Sequence, residues 1–216
     1  MPPTFTVDGQ TVQHPLELKF NATGWDILCA IEQGFRAQVD VKGKLAEWFL
    51  YKQLKELKSR GVIEDVIWHD TNGRPDFDIM IGGRAIRMEC KNVRSGANPK
   101  GYQGDFRVEI QKTRNQLVGG VSLRGYRADD FEVLAACLFN QTGTWDYVFV
   151  ESGRLARRPN FPDYLVIMQP VPPSPRGVWK GTLARFTLGL RTHGTGEGRL
   201  FRLKSEFRLQ PESKPR

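Results

Sequence analysis

The chain has no apolar run that approaches the roughly 20 residues a membrane-spanning helix needs, which excludes that class of membrane protein. Cysteine and histidine are scarce, three of each in 216 residues. Cys29, Cys90 and Cys137 are widely spaced and lie in apolar surroundings. That pattern argues against a disulfide framework or a cysteine-paired zinc site and suits buried, reduced thiols. No repeat is visible, and no Pro/Gly/Ser linker divides the sequence, so residues 1–216 read as a single domain with appendages. Met1 opens a strand-like segment without the basic start and apolar core of a secretory leader, so the expectation is a soluble protein of the reducing cytoplasm.

Acidic residues are the scarcer charge, 24 Asp and Glu against 32 Lys and Arg, leaving a formal charge of +8. The surplus is uneven. Residues 171–216 hold ten Lys/Arg and three Asp/Glu, giving +7, and residues 92–125 hold six and two, giving +4. Either region suits a phosphate backbone, where each neutralised phosphate releases counterions. The plain alternative is a solvated basic face.

The most informative stretch is residues 74–91, Arg-Pro-Asp-Phe-Asp-Ile-Met-Ile-Gly-Gly-Arg-Ala-Ile-Arg-Met-Glu-Cys-Lys. Two strand-like runs flank Gly82-Gly83, a dipeptide suited to a two-residue turn whose central residues need positive φ. That turn sets Asp76 opposite Glu89, Asp78 opposite Arg87 and Phe77 opposite Met88. Side chains alternate across a strand, so Phe77, Ile79, Ile81, Ile86, Met88 and Cys90 share a core face. Asp76, Asp78, Arg87, Glu89 and Lys91 share the other. Two carboxylates opposed across a strand pair repel and call for a positive partner. A divalent ion, Mg²⁺ or Mn²⁺, fits oxygen ligands of this kind. Lys91 is then placed to orient or help deprotonate a metal-bound water, or to offset charge on a phosphate. A surface hairpin with Asp78 paired to Arg87 and Glu89 paired to Lys91 or Arg74 is the structural alternative.

Pro75-Asp76, the hairpin, and Glu89-Cys90-Lys91 together resemble the signature of the PD-(D/E)xK nuclease superfamily, which includes restriction endonucleases and Holliday-junction resolvases. The motif covers under a tenth of the chain. The resemblance implies a restriction-endonuclease-like α/β core, a central mixed sheet flanked by helices. It implies Mg²⁺ or Mn²⁺ held by Asp76, Glu89, the backbone carbonyl of Cys90 and a helix acid, with one ion or two left open. It also implies nucleic acid as partner, with DNA favoured over RNA. Restriction, genome defence and repair remain open as roles, as do endonucleolytic and exonucleolytic action, and a homodimer or a larger complex is compatible.

The family's preceding helix finds a match in residues 43–60, where Ala46, Phe49, Leu50, Leu54 and Leu57 recur at helical spacing and Gly61 stops the run. Glu47 borders that stripe and becomes the helix acid by resemblance; pairing with Lys44 or Tyr51 is the alternative. Asp78 is an accessory or structural charge. Past Lys91, a loop over 95–104 carries Lys100 and Tyr102 just after Arg94, and Gln111, Lys112 and Arg114 follow in a polar, basic strand. All of these are candidates for nucleic-acid contact, with Gln111 a possible aid at the scissile phosphate. His69 beside the 70–73 turn is left unassigned.

Elsewhere, residues 3–20 suggest a strand or hairpin within an N-terminal appendage, 1–24. Residues 25–35 suggest a short helix that buries Leu28, Ala30, Ile31 and Phe35. Strands are expected at 62–68 and 164–168, and 106–116 reads as a strand or a strand-to-helix junction. Residues 131–139 fit strand or helix, and 145–150 fit a strand. A stiff Val-Pro-Pro-Ser-Pro connector at 171–175 leads into a basic C-terminal hairpin, so 171–209 forms a second appendage, and 210–216 is expected to be a disordered tail. A nuclease-fold module that binds nucleic acid or scaffolds without chemistry is the competing function.

Overall fold

In this computed structural model, residues 5–7, 10–71, 73–96, 105–118, 121–181 and 183 are described. The chain opens with β1 (Phe5–Val7) and β2 (Gln10–Val12), an antiparallel pair, followed by helices α1 (Pro15–Phe20), α2 (Gly24–Gln33) and α3 (Phe35–Ser59). Strands β3 (Asp65–Trp68), β4 (Phe77–Ile81) and β5 (Arg84–Asn92) come next. Then follow β6 (Phe106–Glu109), β7 (Gln111–Val118) and β8 (Val121–Gly125). The rest is β9 (Val133–Cys137), α4 (Phe139–Thr142), β10 (Tyr147–Glu151), β11 (Arg157–Arg158), β12 (Phe161–Leu165) and β13 (Met168–Val171).

The architecture is α/β, with a five-stranded mixed sheet in the order β10-β9-β5-β4-β3. Only β5 and β9 run parallel; the other neighbours are antiparallel. The β4–β5 turn is the two-residue one expected, with φ of +60° at Gly82 and +74° at Gly83. Its register follows: Phe77 faces Met88, Asp78 faces Arg87 and Ile81 faces Arg84.

Alternation divides the sheet into two apolar faces. Phe77, Ile79, Ile86, Met88, Cys90, Ala135 and Phe149 pack under Ala46, Leu50 and Leu54 of α3, which recur every four residues and form one stripe. On the other face Leu134, Ala136, Val148 and Val150 meet Val108, Ile110, Leu165 and Val171, with a β6–β13 ribbon as cover. Cys90 and Cys137 are buried free thiols, and Cys29 is free and partly exposed.

Several expectations change. Residues 15–20 are helix and not strand: His14 caps α1, Glu17 closes a capping box and Pro15 sits at the first turn. The helix over 25–35 exists as α2, but Leu28 and Phe35 are 53% and 80% exposed, and Ala30 is exposed too. This helix packs mainly on α1 and α3. α3 begins at Phe35, eight residues before the expected start, because Gly43 is carried inside the helix with open space around it. Residues 62–64 turn rather than extend, and the 106–116 region is two strands broken at Ile110. Residues 131–139 resolve as strand β9 and the 164–168 strand as parts of β12 and β13. The 171–175 connector leads to Lys180, which bridges to Phe149 at the β10 edge. The basic hairpin over 184–209 and the tail 210–216 lie outside the described residues, as do Lys100 and Tyr102.

Candidate active site

The polar face of β5 supplies the centre. Glu89 is 2% exposed although it is an acid, because it points away from α3 into the seam between the sheet and Tyr126. Its Oε1 accepts from the Tyr126 hydroxyl at 2.5 Å and from the Lys91 ammonium, while Oε2 is buried and has no hydrogen-bond partner among the described residues. An orphaned carboxylate oxygen is costly in a folded protein and marks a place for a cation or a water.

Asp76 sits one residue before β4, and its side chain continues the ladder: Oδ2 accepts from the Cys90 amide at 2.8 Å. Lys91 Nζ lies 3.9 Å from that oxygen and 3.2 Å from the Cys90 carbonyl. Asp76, Glu89 and the Cys90 carbonyl therefore converge on one positive charge. Glu47 approaches from α3, held by Lys44 Nζ and the Trp68 indole N–H, each at 2.9 Å. Its pairing with Lys44 matches the structural alternative; its field nonetheless reaches Asp76.

These acids disturb one another. Burial first, then the Glu89 and Glu47 charges, push the Asp76 carboxyl up to about 7, against the pull of Lys91 and the Cys90 amide. Burial lowers the Lys91 pKa, but Glu89, Asp76 and Tyr126 outweigh it, so the net shift is upward and the ammonium persists. An ammonium has no lone pair with which to take a proton, so Lys91 serves as a donor and a charge rather than a base. Burial raises the Tyr126 phenol, with Lys91 opposing and Glu89 adding, which keeps it a neutral donor to Glu89. Burial likewise raises the Cys90 thiol, leaving only its carbonyl as a ligand.

The residues fit a hard divalent ion in part. Among the described residues no three His, Cys, Asp or Glu side chains gather as a metal cage. The set present is two carboxylates, one of them carrying the orphaned oxygen, and a carbonyl, and Mg²⁺ characteristically takes one or two carboxylates and fills its remaining positions with water and substrate phosphate.

No protein-family model matches this chain, and no curated protein does. Among solved structures, one that matches is a bacterial homing endonuclease, I-Ssp6803I. It is 15% identical, with a TM-score of 0.38 over 52% of this chain and 68% of that one. A likeness that slight assigns neither fold nor activity.

Around the acids lies a cleft of about 760 Å³, and Lys44, His69, Arg74, Gln111, Lys112 and Tyr126 line it with Asp76, Glu89 and Lys91. Lys112 reaches it but is tied to Asp130 at 2.7 Å and lies 5.4 Å over the Tyr126 ring. Gln111 donates to Glu109 at 2.6 Å, and Arg94 pairs with the same carboxylate at 3.3 Å, outside the lining. Arg114 is on β7, and its side chain lies outside the described residues.

Asp78 departs from expectation. Although it faces Arg87 in register, its Oδ2 meets His69 Nε2 at 2.8 Å, and Arg87 turns instead to Glu132 at 2.7 Å. The reason is reach: Glu132 precedes β9, beside β5, and also accepts the Arg87 amide at 2.7 Å. Asp78 thereby fixes the one histidine in the cleft lining. Sequence reasoning missed Tyr126 altogether. It follows β8 with no motif around it, and only the fold brings it to Glu89.

Proposed function

We propose that this chain is a metal-dependent nuclease that hydrolyses phosphodiester bonds, with DNA as the favoured substrate and Mg²⁺ or Mn²⁺ as cofactor. The observation that carries the reading is Glu89, a buried carboxylate with one oxygen unpartnered among the described residues, set beside Asp76 and Lys91 on the wall of an open basic-rimmed cleft. Asp76, Glu89 and the Cys90 carbonyl would hold the ion, with Glu47 assisting from α3. When bound, the ion would polarise the phosphate and make its water a stronger nucleophile.

The chain's own groups have distinct tasks. Lys91 presents a lasting positive charge to the pentavalent phosphorus as negative charge accumulates on its oxygens. Lys44, Arg74 and Lys112 line the path by which a phosphate backbone enters. Tyr126 donates to Oε1 and so fixes the rotamer of Glu89, leaving Oε2 free of that bond. Asp78 accepts from His69 Nε2 and holds that ring against the cleft wall.

Incubating the purified protein with supercoiled plasmid, single-stranded DNA and RNA, with Mg²⁺ or chelator, tests this directly. Cleavage should require the metal and disappear in Glu89→Gln and Lys91→Ala. The competing reading, a nuclease-fold module that binds without chemistry, draws on the Lys91 ammonium, which already sits between the acids. Calorimetry separates them: a wild type that takes up no Mn²⁺ and cuts none of the three substrates is such a module.

A further inference from the structure

Helices α1 and α2 and the part of α3 before Ala46 present apolar side chains but fully bury none. α1 buries only Glu17, α2 only Gly24, and α3 nothing before Ala46. Meanwhile Leu18, Phe20, Trp25, Leu28, Phe35 and Val39 are exposed, Trp25 at 70% and Phe35 at 80%. Trp25 and Leu28 share a face of α2, and Phe35 and Val39 share a face of α3. Short helices are marginal in water and depend on covering an apolar stripe. Capping boxes fix where α1 and α2 begin but hide no apolar surface.

We infer that this helical arm is the contact surface for a second copy of the same chain. Bare side chains of this size sum to on the order of 700 Å² of apolar area over the arm, against the ~800 Å² each partner gives a stable interface. The charge argues against the other occupants. Residues 15–45 hold Glu17, Asp26, Glu32 and Asp40 against Lys19, Arg36, Lys42 and Lys44, no net charge in a chain of +8. Nucleic acid and anionic lipid would both call for a basic surface there. A two-fold axis brings the same patch to both sides and lets Lys19 and Arg36 of one copy meet acids of the other. Because α3 runs unbroken from Phe35 past Glu47, the contact would also fix the two clefts relative to each other. None of this depends on the nuclease reading.

Sedimentation of the full chain across the micromolar range tests it. The wild type should run at twice its 24.6 kDa mass, and Trp25→Glu with Phe35→Glu should weaken association at least ~100-fold while circular dichroism keeps the sheet signature. Hydrogen exchange on the wild type covers the case in which that variant misfolds: protection of arm amides should rise with protein concentration. A monomeric wild type, a variant that still dimerises, or arm protection independent of concentration would each overturn the proposal, the last pointing to residues 184–216 of the same chain as the cover.

Discussion

Asp76 illustrates how one carboxyl can oppose the fold that holds it. Its ordinary pKa, near 3.9 in an unfolded chain, rises to about 7 in the structure, chiefly through burial. Between those values the native chain keeps a proton that the unfolded chain has released. Metal-free stability should therefore fall as pH rises from about 4 to about 7 and level off above. Asp76→Asn keeps an oxygen for the Cys90 amide and removes the charge. At about pH 8, without metal, it should resist urea better than wild type, by up to a few kcal/mol, while metal-dependent cleavage is lost. A variant less stable than wild type there would show that Asp76 is not strained. By the same sign, cation uptake by the wild type should weaken as pH drops through about 7. Tyr126→Phe removes the hydroxyl from Glu89 and nothing else, so activity should fall about 10–100-fold with the loss mainly in metal affinity. Titrating Mg²⁺ at saturating substrate reads the split. Asp76, Glu89 and Lys91 were legible because they occupy consecutive-face positions of one hairpin. Tyr126 and the His69–Asp78 pair were not, since what joins them is proximity between segments far apart in sequence.

At the scale of elements, legibility tracked local geometry. A Gly-Gly pair between two alternating runs admits few turns, and the shortest of them fixed which residues face one another. Replacing Gly83 by Val tests how much the site leans on that turn. With φ at +74° a β-branched residue is strained, so stability should drop by about 1–2 kcal/mol or more, and slippage by one residue would part Asp76 from Glu89. Chemical denaturation and cleavage measured together distinguish simple strain, which lowers only stability at low temperature, from lost register, which abolishes activity as well. Helix α3 was read correctly where it packs, because Ala46, Leu50 and Leu54 form a stripe against a sheet. Its first two turns were missed for the converse reason: with no buried face there, the sequence has no core periodicity, and Gly43 looks like a boundary. The polar strand after the loop was ambiguous for the same cause, since Gln111 and Lys112 line a cleft and not a core.

For the whole molecule, the distribution of charge separates capture of a polyanion from chemistry upon it. Lys44, Lys91 and Lys112 in the cleft are each engaged by acids, Asp70 with Glu47, Glu89 and Asp130 in turn. Residues 184–216 contribute eight Lys/Arg and three Asp/Glu, hence +5 of the total +8. Long-range attraction should come mainly from that segment, and catalysis from the cleft. Converting Arg185, Arg191, Arg199 and Arg202 together to Gln should weaken binding to duplex DNA and flatten the log K against log salt line. Each of these arginines that had met a phosphate removes about 0.9 from the slope. The cleavage rate on saturating DNA at low salt should hardly change, because Asp76, Glu89 and Lys91 in the cleft are left intact. A slope equal to that of wild type would move the phosphate contacts from the C-terminal segment to Arg94, Lys112 and their neighbours around the cleft. A lost cleavage rate at saturation would place the segment in the chemistry itself.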